Sequence, residues 1–242
     1  MVGCYSMAPT CYMCNSVETS REHVPPACFF PLAKEIGRDL RRNLITVPSC
    51  DIHNSLKSKD DEYLRTVITM TATHTQVGQH QFVRKVLPAV ARKPLAYKSF
   101  YIDKGTVAKG KGRVLQIDRK RFNRCIDHLA RAIFFHTFKR KWQLPISIVS
   151  PNLFSGIHSD QIVPHQPTEI AVEKSRQFLG GEPIRGENPE VFKYRVHYDG
   201  VEESYAFAAI FNDYFEIFSF SARELAEREK TTSPMPLEVP SH

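Results

Sequence analysis

Two pairs of potential metal ligands, separated by 35 residues, lie near the start of the 242-residue chain. Cys11 and Cys14 form a Cys-x-x-Cys pair, and Cys50 and His53 form a second pair with the same two-residue spacer. Such a spacer lets two side chains of one turn converge on a tetrahedral zinc ion, which thiolates and imidazoles bind. The spacing therefore predicts a structural zinc site. The alternative is a set of reduced structural cysteines.

Between these pairs lie an acid, a histidine and two asparagines that suit chemistry on a phosphodiester. An imidazole exchanges protons near neutral pH, so His23 can act as the base for an attacking water. Glu22 can hold Mg²⁺ or Mn²⁺ through a carboxylate oxygen, and Asn54 can add a neutral oxygen ligand. Asn43 can hydrogen-bond across a hairpin and fix the loop that carries the histidine. Each residue alone is typical of a loop, a turn or a first helical turn, but their combination between zinc ligands favours nuclease chemistry.

The net charge of +7 is concentrated in one segment. Residues 84–141 contain 17 Lys or Arg and three acids, so this segment carries +14 and the rest of the chain −7. Such polarity favours a polyanionic partner, because each neutralised phosphate releases counterions. The alternative is a solvated basic surface. The candidate nucleic-acid-binding residues are Lys57, which follows Asn54 by one helical turn, and Arg119, Lys120, Arg124, Lys139, Arg140 and Lys141.

Sequence periodicity predicts the elements that position these residues. An apolar stripe of Phe122, Cys125, Ile126, Leu129 and Ile133 predicts the strongest helix, beginning at Asp118 and ending near residues 139–141. Period-two alternation and turn dipeptides at 199–200 and 212–213 predict antiparallel strands over about 191–198, 203–211 and 214–220. Weaker patterns predict helices over 52–71, 79–91, 168–179 and 221–230, a basic loop over 105–112, and irregular structure over 145–167.

The order of the motifs resembles that of the zinc-bearing HNH endonucleases, in particular the stand-alone bacterial HNH proteins. The chain reads Glu-His-Val-Pro-Pro at 22–26, Cys-Phe-Phe-Pro at 28–31 and Cys-Asp-Ile-His-Asn at 50–54. The resemblance covers about residues 8–65 and implies an N-terminal ββα-metal HNH module. With the periodicity, it predicts an α+β chain in which this module is followed by a helical basic region and a small antiparallel sheet. The predicted boundaries are 1–75 for the nuclease module, 76–230 for the basic domain and 231–242 for a disordered tail.

The resemblance also implies roles for individual residues. His23 corresponds to the general base, Glu22 and Asn54 to ligands of the catalytic Mg or Mn ion, and Asn43 to the structural asparagine. The structural zinc would be held by Cys11, Cys14, Cys50 and His53. There are two departures from the pattern. His53 stands where many relatives have a cysteine, so it suits either the zinc or the catalytic ion, and Glu22 stands where many place an aspartate.

These features predict a metal-dependent endonuclease that nicks DNA. The resemblance suggests a role in bacterial defence alongside partner proteins, and double-strand cleavage would require a homodimer or repeated nicking. A non-catalytic zinc-stabilised nucleic-acid-binding module and an RNA-cleaving nuclease are the alternatives. No apolar run is long enough to span a bilayer, and the first ten residues lack the pattern of a secretory signal. Six cysteines in a chain of this length suit metal ligation in a reducing cytoplasm better than a disulfide framework.

Overall fold

A computed structural model of the chain describes residues 9–94, 117–153, 155–158, 161–164, 166–224 and 227. The predicted basic loop at 105–112 and the predicted tail at 231–242 lie outside the described residues, as do five of the ten residues of the predicted helix at 221–230. The start of that prediction is wrong, because Ser221 and Ala222 form the end of a strand. In the described ranges, no helix is long and apolar enough to cross a membrane.

The N-terminal part of the chain is a hairpin that packs against a helix. Strand β1 (Ser20–Val24) pairs antiparallel with β2 (Ile45–Ser49), and the chain then enters α2 (Ser58–Thr71) through a 3-10 turn, Ser55–Lys57. A short helix α1 (Ala33–Ile36) lies in the connection between the strands. Strand residues alternate between the two faces of a hairpin, and Val24 and Val47 are buried on the face that meets the helices.

The region after α2 differs from the sequence prediction. The predicted helix at 79–91 begins earlier, and Gly78 lies inside it, because the Thr75 hydroxyl accepts a hydrogen bond from the Gly78 amide at 3.1 Å and caps the helix. Asp51 is a suitable cap for the helix predicted over 52–71, but its carboxylate instead accepts a bond from the Thr19 hydroxyl at 2.8 Å. The successive segments are α3 (Gln76–Gln81), a π-helical turn (Phe82–Val86) and α4 (Leu87–Arg92).

The strongest predicted helix is confirmed as α5 (Arg119–Phe138). The Asp118 side chain caps it by accepting a bond from the Arg121 amide at 3.0 Å. Ile126 and Ile133 are fully buried, and they belong to one hydrophobic cluster that also contains Ile68 of α2. The same cluster includes residues of the hairpin and of the C-terminal sheet, so the hydrophobic core extends across the predicted boundary at residues 75 and 76.

The C-terminal part is a four-stranded antiparallel sheet with strand order β3-β8-β7-β6. Three of its strands match the prediction, whereas β3 falls in a segment predicted to be irregular, and so does the separate β4–β5 hairpin. The connection between the last two strands has three residues, and the Tyr214 amide donates to the Phe211 carbonyl at 3.0 Å. Asn212 and Asp213, the two central residues of this turn, both have positive φ, as a type I′ turn requires. The elements are β3 (Ser147–Val149), β4 (Ser155–His158), β5 (Gln161–Pro164), α6 (Gln166–Leu179), β6 (Phe192–Asp199), β7 (Ser204–Phe211) and β8 (Phe215–Ala222).

Candidate functional site

The four predicted zinc ligands converge on one point. The Nδ1 atom of His53 lies 3.5 Å from the Cys11 Sγ and 3.3 Å from the Cys50 Sγ. The Sγ atoms of Cys14 and Cys50 are 3.8 Å apart, and all four ligand atoms lie within 4.8 Å of one another. With zinc–sulfur bonds of about 2.3 Å, the edges of a tetrahedral site are about 3.8 Å long. The donor set and its geometry therefore fit a metal ion and are consistent with zinc.

Local backbone contacts fix these ligands. The Cys50 carbonyl accepts bonds from the amides of His53 and Asn54 at 3.0 Å, which folds the second pair into one turn at the end of β2. Hydrogen bonds from Ser16, opposed by some burial, lower the pKa of the Cys14 thiol to about 7. Burial lowers the pKa of His53. Both shifts favour the thiolate and neutral imidazole forms that bind a metal.

Lys141 joins the first pair to the rest of the molecule. Its ammonium donates hydrogen bonds to the Thr10 hydroxyl at 2.8 Å and to the Cys14 carbonyl at 2.6 Å. A third contact, to the side-chain oxygen of Asn15, lies at 3.3 Å. All three donor hydrogens of the ammonium therefore have an acceptor within the protein. The structure therefore places Lys141, a predicted phosphate ligand, as a brace for the Cys11–Cys14 loop.

Glu22 faces the interior of the hairpin rather than solvent, with 5% of its surface exposed. Its carboxylate lies 2.6 Å from the Lys57 ammonium, which also contacts the Asp61 carboxylate at 2.9 Å. Burial raises the pKa values of Glu22 and Asp61, and the Lys57 ammonium opposes only part of each rise. Burial disfavours the Lys57 ammonium, but the two carboxylates outweigh that effect and raise its pKa. The predicted phosphate contact Lys57 is thus the centre of a buried charge triad.

Asn54 and Glu22 do not form an ion site in this arrangement. The Asn54 amide nitrogen donates to the Ser20 hydroxyl at 2.7 Å, and the Glu22 carboxylate has an ammonium as its closest charged partner. Within the described part of the chain, the Cys/His cluster is the one group of three or more potential metal ligands. The donors present therefore fit zinc at the Cys/His cluster and do not fit a resident divalent ion between Glu22 and Asn54.

His23 lies on the opposite face of β1 from Glu22, and its side chain is exposed. Adjacent strand residues point to opposite faces, so His23 shares its face with Arg21. Thr46 is the residue paired directly with His23 across the hairpin, and the Thr46 hydroxyl accepts a bond from the Arg21 Nε at 3.1 Å. A guanidinium is thus held beside the candidate base.

Asn43 lies two residues before β2, in the turn that leads into the strand, and has a φ of 51°. This left-handed conformation is one that asparagine adopts more readily than most residues. The structure therefore gives Asn43 a role in turning the chain into β2, next to Leu44 and Ile45 on the rim of a cleft.

The predicted nucleic-acid-binding residues of α5 and its C-terminal end are divided between internal contacts and solvent. Arg124 pairs with the Asp60 carboxylate at 2.8 Å, and the Arg140 guanidinium donates to the Tyr198 hydroxyl at 2.8 Å. Arg119 and Lys120 are exposed in the first turn of α5. Lys139 ends the helix with a φ of 56° and borders the same cleft as Asn43.

Sequence reasoning missed three basic residues that line a cleft against the hairpin, namely Arg21, His136 and Arg185. The position of Arg21 could have been predicted from the sequence once β1 was recognised. Arg21 lies two residues before His23, and strand residues two apart point to the same face. His136 and Arg185 carry no local signal, and only the fold brings them to the cleft that Arg21 also lines.

Comparisons of the chain with models of protein families, with curated proteins and with solved structures find no match. The chemistry of the site is therefore the basis for assigning a function.

Proposed function

We propose that this chain is a phosphodiester hydrolase that nicks DNA, with His23 as its general base. The observation that carries the proposal is the exposed imidazole of His23, which shares a strand face with the Arg21 guanidinium. Support also comes from the frame around it, a β-hairpin and helix braced by the Cys/His cluster. A base held on a rigid frame beside a cation is what hydrolysis of an anionic ester requires.

The proposed reaction uses residues on the outer face of the hairpin. His23 accepts a proton from water as the water oxygen bonds to phosphorus, and the bond from phosphorus to the leaving 3′ oxygen breaks. The leaving oxygen then takes up a proton, either from the His23 imidazolium or from solvent. Arg21 binds a non-bridging phosphate oxygen, where a guanidinium offers paired donors to the developing charge.

No step of this proposal passes through Mg²⁺ or Mn²⁺, because the Glu22 carboxylate is already paired with the Lys57 ammonium. Dependence on either ion is instead measured in the assay. DNA is the proposed substrate in a cytoplasmic defence role, where partner proteins and a second copy of the chain would act with it. RNA is the alternative substrate, since the same chemistry would cleave it.

A specific observation favours a second candidate, a non-catalytic nucleic-acid-binding module stabilised by zinc. Glu22 and Asp61 share the Lys57 ammonium beneath the hairpin, which is typical of a structural charge cluster. Such a module would keep the Cys/His cluster and would bind nucleic acid equally well without His23.

The experiment compares nicking of supercoiled plasmid by wild type and His23→Ala, with Mg²⁺, with Mn²⁺ and with neither. Omission of the ions, rather than addition of a strong chelator, keeps zinc in place. General-base removal lowers rates by about 10²- to 10⁴-fold, so we expect His23→Ala to lose nicking by that factor. The matched control is His74→Ala, an exposed histidine that contacts the Tyr214 ring, and it should nick as wild type does.

Equal nicking by wild type and His23→Ala would refute the catalytic assignment. Wild-type inactivity on plasmid, single-stranded DNA and RNA, with binding retained, would favour the non-catalytic module.

A further inference from the structure

A cleft of about 760 Å³ lies against the outer face of the hairpin. The hairpin contributes Arg21 and Thr46 to its wall, and the C-terminal end of α5 contributes His136 and Lys139. The segment that leads into β6 closes the far side with Arg185. Three separate elements, distant in sequence, therefore bring basic side chains to one surface.

The position of Arg185 is fixed by the backbone around it. Its amide and carbonyl form a pair of 2.9 Å hydrogen bonds with Tyr194 of β6. The next residue, Gly186, has a φ of 128°, and a Cβ atom there would lie 2.6 Å from the Phe192 carbonyl oxygen. Only glycine accommodates both the conformation and the close approach. The chain is thus built to hold residue 185 against the cleft.

The cleft is positively charged. Arg21, Lys139 and Arg185 line it, and Glu187 is the single acid among its lining residues. Arg21 has only a long contact of 3.7 Å with a carboxylate, and in the described part of the chain neither Lys139 nor Arg185 has a carboxylate partner within 4.0 Å. Burial, followed by the positive charges of Lys139 and Arg185, lowers the pKa of His136. The Lys139 ammonium also donates to the His136 carbonyl at 2.7 Å, but in the described part of the chain no close carboxylate neutralises these cations.

The cleft leads to the candidate base. Thr46 lines it and is the residue paired with His23 across the hairpin. Directly paired strand residues have Cβ atoms about 4.5–5.5 Å apart. If one phosphate of a nucleic-acid strand binds beside Arg21, the next phosphate of that nucleic-acid strand would therefore lie close to the His23 imidazole.

We propose that this cleft binds a single strand of nucleic acid through its phosphates and directs it to His23. The proposal rests on the proposed hydrolase function and adds the path and the strandedness of its substrate. The cleft is of the size of pockets for small organic ligands, roughly 300–1,000 Å³, which suits a short stretch of one strand, either free or locally unpaired in a supercoiled plasmid. Contacts of this kind are made to the backbone, so binding is independent of sequence.

The test measures binding separately from cleavage. Fluorescence anisotropy with a labelled single-stranded oligonucleotide, and with its duplex, is recorded over a range of salt concentrations for wild type, Arg185→Gln and Lys139→Gln. The matched control is Lys174→Gln, which removes one exposed charge from α6. Circular dichroism and thermal melting check that each variant is folded.

We expect Arg185→Gln and Lys139→Gln each to weaken single-strand binding by about fivefold or more at moderate salt. Each should lower the slope of log K against log salt by about 0.7, the value for one phosphate contact to a single strand. Lys174→Gln should bind as wild type does.

The cleft proposal is overturned if folded Arg185→Gln and Lys139→Gln bind as tightly as wild type, or if Lys174→Gln loses as much affinity as they do. It is also overturned if the duplex binds more tightly than the single strand. Failure of the hydrolase function gives a different result, in which the cleft variants lose binding while no form of the protein cleaves.

Discussion

Substitution of Lys57 by methionine would test the buried charge triad. The ammonium lies 2.6 Å from the Glu22 carboxylate and 2.9 Å from the Asp61 carboxylate, and 11% of its side chain is exposed. Methionine fills a similar volume without a charge, so Lys57→Met leaves both carboxylates without their cation. Removal of one partner from a buried pair costs about 3–5 kcal/mol. Because the Asp61 side chain is 21% exposed, we expect the lower end of that range, about 3 kcal/mol, near neutral pH.

The cost should depend on pH in a definite direction. Burial already raises the folded-state pKa values of Glu22 and Asp61, and loss of the Lys57 ammonium raises them further. A carboxyl whose pKa is raised by folding stabilises the folded state when protonated, and that stability is lost as pH rises through the raised value. The penalty of Lys57→Met should therefore be largest at pH 7–8 and should shrink as pH falls towards the ordinary pKa values of carboxyl groups, about 4.

The assay is urea unfolding of wild type and variant at pH 5 and pH 8, each with zinc present. Lys59→Met is the matched control, since Lys59 is exposed in the first turn of α2, and it should change the free energy of unfolding by less than about 0.5 kcal/mol. The double variant Glu22→Gln/Lys57→Met should recover part of the loss, because one unpaired carboxylate is gone. A penalty for Lys57→Met equal to that of Lys59→Met at pH 8, or one that grows as pH falls, would refute the reasoning.

Two further predictions concern the frame of the site. Cys50→Ala should lose bound zinc by elemental analysis and lower the unfolding midpoint, because metal binding contributes to folding. Cys125→Ala, outside the Cys/His cluster, should keep the metal, and equal metal content in both variants would contradict the assignment. Asn43→Ala should destabilise the protein by about 1 kcal/mol in urea unfolding, whereas Asn43→Gly should be close to neutral, because the φ of 51° at this position disfavours residues with a plain Cβ. Equal losses of unfolding free energy in the two variants would indicate that contacts of the Asn43 side chain, rather than the backbone conformation at this position, stabilise the protein.

The sequence determined the features that depend on local spacing. A two-residue spacer places Cys11 close to Cys14, and another places Cys50 close to His53. Because tetrahedral zinc binds four such ligands, the sequence also predicts that the two pairs meet at one site. The apolar stripe of α5 and the alternation of β6 were likewise predictable, since burial on one face imposes a period on the residues themselves. The turn dipeptide at 212–213 marked the boundary between β7 and β8. The short strand β3 was missed, because three residues are too few to show a period.

Only the tertiary structure decided how the charges combine. Glu22 and His23 are neighbours in the sequence, but strand alternation turns one towards Lys57 in the interior and the other towards solvent. Many of the basic residues that suggested a nucleic-acid surface are paired within the molecule, as Arg124 is with Asp60, 64 residues away. The cations of the cleft come from positions as distant as Arg21 and Arg185. Charge along a chain can be counted from its sequence, but which charges remain free depends on which distant residues the fold brings into contact.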